Sequence, residues 1–161
     1  MITEQDLANM FAMNLRIIKQ QTEGLTHADS VRQPQCGGNC LNWVVGHIVS
    51  DRDAVLRTLG EPGILTEAQA KRYGYGSEPV TCDAEGVMQL GTLLGLLERS
   101  QPGVEAGLKR INPEDLAKEV KYAGRQMTIA QKLFFQNWHE TYHTGQTEQM
   151  RQLAGKTEKV I

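Results

Sequence analysis

The stretch TIAQKLFFQNWHETYHTGQTEQMRQLAGK, Thr128–Lys156, decides what kind of fold this chain can adopt. Thr128 is a good helix N-cap and Gly155 a natural stop. Between them Phe135, His139, His143, Gln146, Met150 and Leu153 recur at steps of three or four, so they share one helical face. The spacing therefore predicts a long amphipathic helix with two histidines inside its apolar stripe. Glu140, one position around from His139, should turn off that stripe.

Upstream, the same reasoning finds three more long helices. Thr3 precedes acids and then Leu7, Met10, Phe11, Asn14 and Ile18, which predicts a capped first helix ending near Gly24. Pro34, Gly37 and Gly38 mark a connector with room for one short turn. In CLNWVVGHIVSDRDAVLRTLGEPG, Cys40–Gly63, Leu41, Val44, Val45, Ile48, Val55, Leu56 and Leu59 keep helical spacing, and Gly60 with Pro62 ends a second helix. Residues 60–82 show no sustained period, which makes the link to the third helix long. Such a link can carry the chain back so that helices two and three run parallel. Asp83 is the expected cap of the third helix, with Val87, Leu90, Leu94 and Leu97 on one stripe and Pro102 expected to end or kink it. VEAGLKRI continues helical, Asn112 and Pro113 start a short turn, and EVKYAGRQMT is the one candidate for extended chain. Four long helices and almost no strand define an all-α four-helix bundle, expected to form one domain over residues 1–161.

Seventeen lysines and arginines against nineteen acids give a net charge of −2, with no block of like charge. A nucleic-acid surface, which needs clustered cations, is not expected. No apolar run is long enough for a membrane span, and the acids in MITEQDLANMF do not fit a secretory leader, so a cytoplasmic protein is expected. Three cysteines, Cys36, Cys40 and Cys82, argue against a disulfide framework. The C-x3-C of CGGNC could clamp a metal or form a redox pair, although thiols beside a helix start are the plainer reading.

HETYH, His139–His143, fits the H-E-x-x-H pattern of zinc proteases. That class needs a third ligand downstream, yet no histidine follows His143 and no sheet edge is available to hold a peptide. The protease reading fails, and Glu140 is read as coincidental. Two imidazoles one turn apart can share a metal ion, or can be core histidines bonded to other side chains. Upstream remain His27, in a polar connector that suits a solvated residue, and His47, inside the second helix at the border of its stripe. Set against the pair on another helix, His47 completes a three-histidine set.

NWVVGHI, Asn42–Ile48, and HETYHTGQTEQMRQLAG, His139–Gly155, resemble the two signature stretches of the DinB/YfiT-like superfamily, the damage-inducible four-helix-bundle proteins. The resemblance implies an up-down-down-up bundle of a type that often forms homodimers. It also implies a divalent metal, zinc or nickel by its imidazole ligands, held by one histidine of the second helix and two of the last, here His47, His139 and His143. Relatives in that superfamily activate low-molecular-weight thiols, which points to a metal-dependent thiol S-transferase. A non-catalytic stress-related metal-binding protein and a hydrolase using metal-bound water stand as alternatives. Asp51, one turn beyond His47, could orient a ligand imidazole, act as a base, or be a solvated neighbour of Arg52. Gln146 could bond a ligand or make a core polar bond. Trp43 and Trp138 are expected to pack, and Tyr73 and Tyr75 could overhang a pocket. A basic rim on that pocket would mark an acidic thiol.

Overall fold

Reciprocal caps start most of the helices. The Asp6 N–H donates to Thr3 Oγ1 at 3.1 Å and the Thr3 N–H to Asp6 Oδ2 at 2.9 Å, opening α1 (Glu4–Thr22). The same device built from Thr26 and Asp29 opens the short α2 (His27–Ser30). Helix α3 (Leu41–Thr58) follows, then α4 (Glu67–Tyr73), α5 (Leu90–Arg110) and α6 (Pro113–Ala117). A hairpin of β1 (Glu119–Tyr122) and β2 (Arg125–Thr128) leads into α7 (Ile129–Leu153), capped by Thr128 and Gln131. The computed structural model describes residues 3–35 and 37–160; Cys36, and with it the C-x3-C reading, lies outside them.

Side-chain pairs fix the helix directions. Asn14 bonds Thr141 and the Gln21 carbonyl accepts from Arg151, so α1 and α7 run parallel. Asn42 reaches the Met88 carbonyl just before α5, and Arg52 reaches Gln101, so α3 and α5 also run parallel. Arg52 meets Glu140 while Thr58 meets Lys132, which sets α3 against α7. The four long helices form an up-down-down-up bundle, as the sequence pattern and the resemblance predicted.

The core is in two apolar parts. Leu41, Val45, Ile48, Val49, Leu93 and Leu97 fill one end, and Leu7, Phe11, Val55, Leu56, Val104 and Leu133 the other. Each fully buried aliphatic side chain contributes about 1.5–3 kcal/mol. Between the two parts lies a polar layer centred on Arg52, which is completely buried. Its guanidinium donates to both carboxylate oxygens of Glu140, to Gln101 Oε1 at 2.8 Å and to the Phe11 carbonyl at 2.7 Å. One side chain thus ties all four long helices together.

Several local expectations are corrected. Residues 60–82 contain α4, whose Thr66–Gln69 capping box is legible, though its seven residues are too few to show a period. Helix α5 starts at Leu90 and not at Asp83. Asp83 instead lies 3.2 Å from His27 Nε2, and His27 Nδ1 accepts the Leu90 N–H at 3.3 Å. His27 is therefore a half-buried brace for the start of α5 and not a solvated connector residue. Pro102 does not end α5, which runs through it. The proline is exposed, and so is Glu98, whose carbonyl it leaves without an N–H, so water can take that acceptor. No helix among the described residues is long and apolar enough to cross a membrane.

Candidate metal centre

Helix α3 delivers His47 next to Gly46, and the glycine decides what can approach. A Cβ at Gly46 would lie 2.0 Å from the Tyr73 ring, so only glycine lets that tyrosine pack against α3. Packed there, the Tyr73 hydroxyl donates to Asn42 Oδ1 at 2.9 Å and accepts the Met88 N–H at 2.8 Å. Its carbonyl, at the end of α4, lies 2.8 Å from His47 Nδ1. Tyr73 is thus a buried brace whose backbone holds His47, and it does not overhang a pocket. Trp43, one turn before, stacks on the His47 ring at 4.7 Å and donates from Nε1 to Ser77 Oγ at 3.0 Å.

Helix α7 supplies the other two rings. His139 Nδ1 is 2.6 Å from Asp51 Oδ2, and His143 Nδ1 is 2.8 Å from Gln146 Oε1. A backbone carbonyl, a carboxylate and an amide oxygen can only accept, so each Nδ1 carries a proton and Nε2 is the ring nitrogen left for a ligand. The three rings converge. One ring nitrogen of each histidine lies within 4.8 Å of the others, and the Nε2 atoms of His139 and His143 are 3.1 Å apart. Two such nitrogens at that distance share either a proton or a metal ion, and a divalent ion can take the place of the proton. Burial pulls the His143 imidazole below its ordinary pKa; the bond to Gln146 opposes this, and the neighbouring rings of His139 and His47 add to the lowering. The neutral form that a metal needs is the favoured one.

All five residues expected at the site, His47, Asp51, His139, His143 and Gln146, are brought together, while His27 is elsewhere. Asp51 is not a solvated neighbour of an exposed arginine; it faces His139. Trp138 does not pack inside: it is 54% exposed. Cys40 is buried and donates its thiol to the Val80 carbonyl, and Cys82 is exposed; both are free. Tyr75 is exposed and lines the cleft in front of the three rings.

The expected place of the histidines on α7 also needs correction. The most deeply buried row of that helix is Leu133, Gln136, Asn137, Glu140, Thr144 and Thr147. Glu140 points into the bundle as the partner of Arg52, while His143 is buried beside that row and His139 borders solvent. The glutamate of HETYH is thereby neither a general base nor a coincidence; it locks α7 to α3 beside the site. Arg52 and Glu140 were missed because hydrophobic periodicity cannot see a polar core layer, although both follow directly on residues already singled out, Asp51 and His139.

A helical bundle with three imidazoles converging from two antiparallel helices defines the class of protein: one that could hold a divalent ion between helices. The family model described as the DinB superfamily matches residues 11–147, and the chain belongs to that superfamily. No curated protein matches it.

Proposed function

We propose that His47, His139 and His143 hold a divalent ion, zinc or nickel, and that the protein is a cytoplasmic, homodimeric, metal-dependent thiol S-transferase. The observation that carries this reading is the donor set: one ring nitrogen of each histidine lies within 4.8 Å of the others while every Nδ1 has an acceptor. When bound by three neutral imidazoles, such an ion offers an open position that keeps a thiol as thiolate at neutral pH. The protein's own residues do the rest. Tyr73, Asp51 and Gln146 fix the tautomer and orientation of the three rings, which makes Asp51 an orienting residue and not a base. Trp43, Tyr75 and Tyr142 border a cleft of about 390 Å³ in front of the histidines, large enough for a small molecule. The reaction class is displacement by sulfur at an electrophilic carbon, with the thiol proton lost to solvent and the leaving group departing as an anion.

Three ligands, with no fourth histidine, cysteine or carboxylate in the cluster among the described residues, favour a reactive site over a purely structural one. The direct test loads the protein with zinc or nickel and follows consumption of a panel of small thiols with chlorodinitrobenzene as electrophile. Turnover that scales with metal occupancy is expected. Full occupancy with no thiol consumed by any member of the panel would overturn the transferase reading.

A further inference from the structure

A second cleft, of about 420 Å³, meets the first at the histidines, sharing His47, His139 and Tyr75 with it. Its wall is made by the hairpin before α7. The turn residues Ala123 and Gly124 both have positive φ, 49° and 76°, as a two-residue hairpin turn requires, and Ala123 adopts a conformation costly for a residue with a Cβ. That turn sets Tyr122 beside Phe135 of α7, with ring centroids 6.0 Å apart in an edge-to-face arrangement. Phe135 in turn lies nearly parallel to the His139 ring, at 8° and 6.1 Å. A continuous aromatic surface therefore leads from the hairpin to the proposed metal position.

Charge narrows what this surface can take. Among the described residues no lysine or arginine lines either cleft, and the one charged lining residue is Asp51. Lys132 stands 5.1 Å over the Tyr122 ring, yet it is not part of the lining and its ammonium donates to Thr58 Oγ1 at 2.8 Å. Burial first, and the Asp51 charge second, hold the Tyr122 hydroxyl above its ordinary pKa, so that wall stays a neutral phenol. In the metal-free chain an anion entering here would meet the Asp51 carboxylate, with no lysine or arginine in the lining to offset it.

We infer that the cleft between Tyr122, Phe135 and Asp51 is a subsite for an uncharged aromatic group of the substrate, and that in the metal-free chain it takes a neutral aromatic in preference to an anionic one. This rests on reading the three histidines as the reaction centre.

The test uses the metal-free protein, so that it does not depend on the metal reading, which metal content decides separately. Phenol and benzoate are titrated in turn and followed by nuclear magnetic resonance of the backbone amides. Phenol is expected to shift Tyr122, Ala123 and Phe135, with an affinity at least about fivefold above that of benzoate. Phe135→Ser is expected to lower phenol affinity by a similar factor; Tyr122→Ser, on the half-exposed hairpin, makes the same test should the first variant fail to fold. Benzoate binding as tightly as phenol, or shifts confined to other parts of the chain, would overturn the inference.

Discussion

Asp51 shows how much of the site depends on a group outside the ligand set. Its carboxylate holds His139 Nδ1 at 2.6 Å and so leaves Nε2 bare toward the other rings. Asp51→Asn removes the negative charge and can present a donor where an acceptor is required, so divalent-metal affinity is expected to fall by about 10- to 100-fold with the fold intact. Competition with a chromogenic chelator measures this, and an unchanged affinity would show that His139 needs no such partner. Gly46 does comparable work for His47. Gly46→Ala sets a methyl where the Tyr73 ring sits and is expected to cost about 1–3 kcal/mol, measured by urea denaturation, while also loosening the carbonyl that holds His47. The histidines, Asp51 and Gln146 were legible because side chains one turn apart on a helix must share a face. The Tyr73 carbonyl was not, since no spacing rule tells which backbone acceptor a tertiary contact will supply.

At the scale of elements, two adjacent rungs set the register of α3 against α7: Asp51 with His139, and Arg52 with Glu140. The second rung is buried and hydrogen-bonded on every side, so removing one partner leaves an uncompensated charge in the core. Glu140→Ala is expected to destabilise the fold by about 3–5 kcal/mol in chemical denaturation, whereas Arg52→Met with Glu140→Leu together should cost much less. Equal losses in the single and double variants would deny the rung that role. The apolar stripes of α1 and α3 announced their helices, because there the buried face is largely hydrophobic. Helix α7 misled on which face is inside, its buried row being mostly polar, and the loop before α5 misled because Asp83 had a better partner in His27 than in a helix start. Short α4 and the passage through Pro102 depend on tertiary packing and on exposure, neither of which is written in a period.

Across the whole molecule, one surface stands out beside the centre. Phe134, Trp138 and Tyr142 follow one another at steps of four on the outside of α7, 49%, 54% and 57% exposed, with Met13 of the neighbouring α1 54% exposed. This row is where the proposed second copy of the chain would sit, since pairing removes exposed aromatic area from water. Sedimentation is expected to give a dimer for the native chain and a monomer for Trp138→Asp; a native monomer would remove the homodimer from the account. Beside that surface, α3 and α7 bring three imidazoles to one point, which can hold one divalent ion. Elemental analysis of the native protein beside His47→Ala, His139→Ala and His143→Ala measures this. Near-stoichiometric divalent metal is expected in the native chain, and its loss in each variant. A native protein that takes up no zinc or nickel, or variants that keep the full complement, would contradict it.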